Sequence, residues 1–318
     1  AAFQVLLQDA QAELDQLLRA RNPVIVHQPA TPQEGLRWLL ADHLATLHSL
    51  ALDAAARGSG GSERATLRLQ DLSHRLAAMA WEADFRFLYH PKRHLLHIGY
   101  RLDEQQLDAS FYDLLASESR TTSLLAIAKG DIPVRHWAAL GRPFFASGRH
   151  AVLRSWSGSM FEYLMPLLVM AQPRESALAE AGRSALMEQI AFVRGSAMPW
   201  GISESAYAGQ DNTLAYQYAP QGVPRLALRR TPLTERVIAP YATALAAMVR
   251  PHAAVRNFAR LEQIDARGLY GFYEALDYTE RRLQAGELFA IVRAYMAHHQ
   301  GMTIVALANT LLDGVMRK

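Results

Sequence analysis

Apolar residues recurring at every third or fourth position run through most of this chain, and that spacing commits it to amphipathic helices before any other feature is weighed. The segments that carry the spacing are Glu63 to about Asp84, Ser110 to Lys129, Trp156 to Met170, Glu175 to Arg194, Pro240 to Val249, His252 to Ile264 and Gly286 to Asp313. A further helix opens in "TPQEGLRWLLADHLATLHSLALDAAA", with Thr31 as N-cap, Pro32 at the first helical position and Glu34 at the third. The first 21 residues repeat the pattern, starting abruptly like an excised piece.

"FRFLYHPKRHLLHIGYRL" reads differently: two short aromatic and aliphatic runs flank His90 to Arg93 as a β-hairpin. Long aromatic-rich loops lie at 144–157, 197–232 and 266–279, and "GSGGSE" reads as a linker without the Gly-Lys-Ser/Thr of a phosphate loop. Helical hairpins alternating with such loops fit an α/α toroid carrying its site at one face; a plain helical bundle is the alternative.

Half of the 318 residues are apolar, enough to fill one large core. The 33 basic and 30 acidic residues leave a net charge of +3 without a basic block, so nothing in the balance calls for nucleic acid. The absence of cysteine excludes disulfides, thiolate nucleophiles and Cys-ligated zinc. The longest apolar run, "MFEYLMPLLVMA", is about half a bilayer crossing, so no membrane span is expected, and the N-terminus lacks the features of a signal peptide.

Four acids stand out by their surroundings. Glu118 falls in the apolar stripe of "SFYDLLASESRTTSLLAIA", where a charged carboxylate must be paired, hydrogen-bonded or open to a polar cavity. A salt bridge to Arg120 or Arg154 would satisfy it as well as a catalytic role. Glu162 is followed by Pro166, which strips its carbonyl of a helical partner, and a capping role suits it equally. Glu204, between Ser203 and Ser205 in "PWGISESAY", and Glu274, in "YGFYEALDYT", lie among the flat aromatic faces that a sugar cleft uses. "GISES" misses the serine-hydrolase elbow at Ser205. His90, His94 and His97 are split by Pro91, and the neighbours His298 and His299 diverge on a helix, so neither a metal nor another cofactor is expected.

Several long motifs also carry a resemblance. "FLYHPKRHLLHIGYRLDEQQLDASFYDLLASESR", "SWSGSMFEYLMPLLVM", "PWGISESAY", "GLYGFYEALDYT" and "YMAHHQGM" resemble the glycoamylase-like central domain of cyclic β-1,2-glucan synthases, in register over roughly residues 81–307. The resemblance implies an all-α (α/α)6 toroid at 81–318, with small β-hairpin insertions in the loops of the active-site face. Residues 1–80 would be a helical linker packed on it. It also implies a retaining transglycosylase that closes linear β-1,2-glucan into rings, with an endo-β-1,2-glucanase or a non-catalytic glucan-binding scaffold as alternatives. Glu204 would be the nucleophile and Glu118 the acid/base, with Glu162 the third candidate. Asp113, Arg120, Arg93, Trp156, Trp200, Tyr207, Tyr216, Gln217, Tyr218 and Glu274 would bind glucose units or orient the carboxylates. The implied partners are the glucan chain and the glycosyltransferase and phosphorylase-like modules of the same parent polypeptide. The implied location is the cytoplasmic face of the bacterial inner membrane.

Overall fold

The computed structural model describes residues 32–58, 61–148, 150–230 and 232–317. The chain divides into two units, 1–83 and 84–318. In the first, helices α1 (Pro32–Gly58) and α2 (Gly61–Glu82) pair, so the break expected at "GSGGSE" is narrower than six residues. The N-terminal segment and the Thr31 cap lie outside the described residues.

The second unit is built on α3 (Arg120–Lys129), α4 (Arg135–Ala139), α5 (Met160–Leu164), α6 (Ala177–Phe192), α7 (Pro240–Ala247), α8 (Pro251–Gln263) and α9 (Ala297–Leu311). Its core is one large cluster, with two smaller ones around Val237 and Val292 and around Leu96 and Ile132. Leu153, Met160, Leu164, Leu186, Ile202, Ile238, Leu245, Leu261 and Leu276 are buried in the large one, drawn from helices and from the segments between them. Helix α7 is buried along its whole length, which explains its nearly continuous apolar sequence, and it packs against α5, α8 and α9. No helix among the described residues is long and apolar enough to cross a membrane.

Strands are more numerous than expected, all short and paired antiparallel. The hairpin read at His90–Arg93 is present, with Tyr89 opposite Leu96 and His90 opposite Leu95. Its second strand also pairs with Phe111–Tyr112, so the helix expected from Ser110 begins only at Arg120, and the Ser110–Asp113 capping box does not form. Pairing with an existing strand overrides local helix propensity there. Ala290–Val292 likewise joins Ala275–Asp277 as a strand, where a helix from Gly286 was expected. The run "LFAIV" is β-branched and aromatic, which fits a strand better than a helix.

Two glycines allow the loops of the site to meet. Gly158 has φ +80°, and a side chain on it would press on the Val223 carbonyl, while one on Gly222 would collide with the Ser157 carbonyl. The segment 155–159 therefore lies directly against 222–227, held by Ser155 N–H to Leu226 O and Val223 N–H to Gly158 O.

Candidate active site

Residues from separate loops converge where α3, α5, α7 and α9 begin. Glu118 occupies a turn ahead of α3 rather than a helical stripe. The preceding run is fixed to Gly141, whose N–H donates to Asp113 O while Leu115 N–H donates to Gly141 O. The Glu118 carboxylate is half-buried and accepts one hydrogen bond from Ser117 Oγ at 3.2 Å. Burial pushes its pKa up, and the negative charges of Glu162 and Glu204 add to the rise.

Arg120 makes no salt bridge to Glu118. Its buried guanidinium donates to three carbonyls: Ser117 O at 3.0 Å, Glu162 O at 2.9 Å and Tyr163 O at 2.6 Å. The Glu162 carbonyl is the one that Pro166 deprives of a helical donor, so Arg120 meets a need written into the α5 sequence. Burial lowers the Arg120 pKa to about 10, opposed by the nearby charge of Glu118.

Glu162 is enclosed by serines. Its carboxylate accepts from Ser155 Oγ (2.8 Å), Ser157 Oγ (2.5 Å), Ser157 N–H (3.0 Å), Ser159 N–H (2.9 Å) and Ser159 Oγ (3.0 Å). The Ser159 N–H bond, together with the Glu162 N–H donated back to Ser159 Oγ at 3.3 Å, completes a capping box at the start of α5. Four of these bonds fall on Oε2 and one on Oε1, so this carboxylate is fixed in place, whereas Glu118 accepts a single side-chain hydrogen bond.

Glu204 sits at a bend leading into the strand Ser205–Gln210. The segment before it threads between two helix starts. Met160 N–H donates to Ile202 O, Phe161 N–H to Ser203 Oγ and Ala239 N–H to Gly201 O, and Gln189 exchanges two 2.8 Å bonds with the Ile202 backbone. Tyr241 of α7 completes the clamp, with its hydroxyl 2.8 Å from Ser203 Oγ and 2.9 Å from the Glu204 carbonyl. The half-buried Glu204 carboxylate faces the phenol of Tyr218, whose pKa is driven far up by burial first and then by this charge. Tyr112 senses both acids: its phenol is raised by burial, then by Glu118 and Glu204. Glu118, Tyr112, Glu204 and Tyr218 therefore share one electrostatic neighbourhood.

Glu274 belongs to a different arrangement. It is 2% exposed, accepts the Ala206 N–H at 3.1 Å, and holds His299 Nδ1 2.9 Å from each of its oxygens. A carboxylate only accepts, so Nδ1 carries the hydrogen. His298 beside it has its pKa lowered by burial first and then by His299.

The remaining expected binding residues divide by burial. Trp156 (61% exposed) and Tyr218 (40% exposed) present open aromatic faces, while Tyr207 and Tyr216 are half-buried on the ribbon Ser205–Gln210/Tyr216–Ala219. Tyr207 lies under the Arg282 guanidinium at 4.8 Å. Trp200, at 5% exposure, is packed in the core with its backbone bonded to Asn257, so its ring has no face to offer a sugar. Gln217 reaches only Asp211, Asp113 is exposed, and Arg93 stacks on Phe111 at 5.0 Å from the ring centroid.

Sequence reasoning missed the serines at 155, 157 and 159, together with Tyr112, Tyr241 and His299. The alternating serines of "SWSGS" just before Glu162 were the available signal, since three hydroxyls at that spacing can close around one carboxylate. Among the described residues no group of three His, Asp or Glu side chains is placed to hold a metal.

With this geometry in view, similarity to known proteins narrows the field. A family model described as "Putative glucoamylase" (Glycoamylase) matches residues 110–318. Cyclic beta-(1,2)-glucan synthase NdvB of Rhizobium meliloti (strain 1021) is 48% identical over 259 residues, which is 81% of this chain and 9% of that protein. The chain thus spans under a tenth of the relative's length. In structure it resembles an endo-beta-1,2-glucanase from Chitinophaga pinensis, solved with sophorotriose and glucose. The TM-score is 0.55 at 16% identity, over 76% of this chain and 59% of that one. A "putative glucoamylase" from Bacteroides fragilis NCTC 9343 gives 0.56 at 16% identity, over 78% and 60%. These likenesses establish a shared fold with glucoamylase-like structures.

Proposed function

From the premise that this chain belongs to the glycoamylase family, we propose that it is a retaining transglycosylase acting on linear β-1,2-glucan and closing it into rings. The (α/α)6 toroid is part of the same proposal. One observation carries it: two half-buried carboxylates, Glu118 and Glu204, stand on segments tied to the same helix start, through Arg120 on the Glu162 carbonyl and Ser203 on the Phe161 N–H, while Glu162 itself is bound by its serines.

A retaining reaction needs unlike carboxylates. Glu118, with its pKa pushed up by burial, holds a proton to give to the bridging oxygen as the glycosidic bond breaks. Glu204 attacks the anomeric carbon and forms a glycosyl ester. In the return step Glu118 takes the proton of the incoming hydroxyl, and the ester bond to Glu204 breaks. Arg120 and Tyr241 position the two acids by gripping the Ser117 and Glu204 carbonyls. Glu162 braces the floor, and Trp156 and Tyr218 offer stacking faces to glucose units.

The substrate assignment draws on the likeness to the Rhizobium meliloti synthase. A module of such a synthase would work beside the glycosyltransferase and phosphorylase-like parts of its parent, at the cytoplasmic face of the inner membrane. A second reading, a hydrolytic endo-β-1,2-glucanase, is favoured by the likeness to the Chitinophaga pinensis enzyme. Incubation with linear β-1,2-glucan followed by exo-acting β-glucosidase separates the two. Products resistant to the exo-enzyme support ring closure, shorter reducing chains support hydrolysis, and unchanged glucan contradicts both.

A further inference from the structure

His299, in the first turn of α9, reaches the segment that carries Glu204 by three separate routes. Its imidazole lies against the Tyr241 phenol, with ring centroids 3.8 Å apart, and the Tyr241 hydroxyl donates to the Glu204 carbonyl at 2.9 Å. Tyr218, whose phenol faces the Glu204 carboxylate, stacks with the same imidazole at 6.3 Å between centroids and 24° between planes. Glu274, which holds Nδ1 2.9 Å from each of its oxygens, also accepts the Ala206 N–H just past Glu204. We infer that His299 is a positioning residue for the nucleophile: its ring, oriented by Glu274, sets the two tyrosines that hold Glu204 by its carbonyl and by its carboxylate. The inference rests on the role proposed for Glu204 above.

Stability alone does not account for the pair. Glu274 and His299 are each 2% exposed, and apolar side chains of similar volume often stabilise a core as well as a buried charged or polar pair does. Direction is what apolar side chains lack. The imidazole keeps both bonds to Glu274 only in a narrow range of ring orientations, so the plane against which Tyr241 packs is defined. Tyr241 in turn has no slack, because its hydroxyl meets Ser203 Oγ at 2.8 Å as well as the Glu204 carbonyl, and a tilt of the phenol strains both contacts together. A nucleophile must lie in line with the anomeric carbon, and a misplacement of about 1 Å at a reacting atom costs about a hundredfold in rate. The three routes from His299 thus converge on the backbone before and after Glu204 and on its side chain.

The test separates the ring from the donor. His299→Phe keeps a flat ring against Tyr241 and Tyr218 but offers Glu274 no hydrogen, whereas His299→Gln keeps a donor for Glu274 and loses the ring. Both are assayed in the 318-residue chain on linear β-1,2-glucan, below the lower of the two melting temperatures. The value of kcat should fall about thirtyfold or more in His299→Gln and only about fivefold in His299→Phe, with KM within about threefold of wild type in both. Melting temperature should run the other way, His299→Gln above His299→Phe, because an unpaired buried carboxylate is the larger loss to folding. A merely structural role would make kcat follow melting temperature. Higher turnover in His299→Gln than in His299→Phe, or a raised KM at wild-type kcat, overturns the positioning role and leaves the proposed function intact. If His299→Phe fails to fold, His299→Gln decides alone, and a kcat within about threefold of wild type overturns the role. A wild-type chain that leaves the glucan uncut overturns the function itself, and the positioning role with it.

Discussion

The imidazole of His299 lies face to face with the phenol of Tyr241, ring centroids 3.8 Å apart and planes 12° from parallel. Through that stack the buried Glu274–His299 pair at the start of α9 supports the tyrosine that grips the Glu204 carbonyl. His299→Leu would leave the buried Glu274 with the Ala206 N–H as its remaining hydrogen bond, a loss of about 3 kcal/mol by the usual cost of breaking a buried pair. Thermal unfolding should show a drop of several degrees, and His299→Gln, which can still donate to Glu274, should recover part of it.

Glu118 sets a pH signature. Burial first, then its acidic neighbours, raises its pKa, so the acid form persists above the ordinary carboxylate value of about 4.3. As a general acid it loses function when deprotonated, so kcat/KM falls as pH rises through the raised pKa, and that limb should disappear in a Glu118 variant assayed with a leaving group needing no proton. Stability moves with the same sign. A carboxyl whose folded pKa is raised is most destabilising above that pKa and costs nothing below its unfolded pKa. Glu118→Gln should therefore melt higher than wild type at neutral pH, with the gap closing as pH falls toward about 4.

Glu162 should behave as a brace. In Glu162→Gln a donor amide replaces one oxygen of a carboxylate that accepts five hydrogen bonds, four of them on Oε2, which should cost about 2–4 kcal/mol. Assayed well below its lowered melting temperature, the variant should retain measurable turnover, unlike variants at Glu118 or Glu204. Complete loss of activity in a folded Glu162→Gln protein would move it into the chemistry.

Tyr218 faces the Glu204 carboxylate. Tyr218→Phe keeps the ring for stacking and removes the hydroxyl, so kcat should fall about tenfold with little change in KM. A rise in KM at unchanged kcat would make Tyr218 a binding residue only.

How much of this was legible in sequence depended on how local each cause is. The spacing of apolar residues located α6, α7 and α8 to within a few residues, because each helix buries its own stripe. The turn at His90–Arg93 was equally local. Glu118 was singled out for a helical stripe that does not exist, because Phe111–Tyr112 pairs with Leu96–His97 and no local signal announces that partner. Trp200 shares its aromatic neighbourhood with Glu204 in sequence yet points into the core, held by Asn257, 57 positions away. The burden on Glu162 was half visible: Pro166 marked its orphan carbonyl, but the Arg120 donor that fills it arrives from a separate helix. Side-chain convergence across loops is set by tertiary packing, and a single sequence carries it only weakly.

The central claim is that Glu204 is the nucleophile on β-1,2-glucan, and turnover of linear β-1,2-glucan by Glu204→Gln tests it most directly. The account predicts a loss of roughly a thousandfold or more relative to wild type, with an unchanged helical circular-dichroism spectrum. Turnover within about tenfold of wild type in that variant would contradict it.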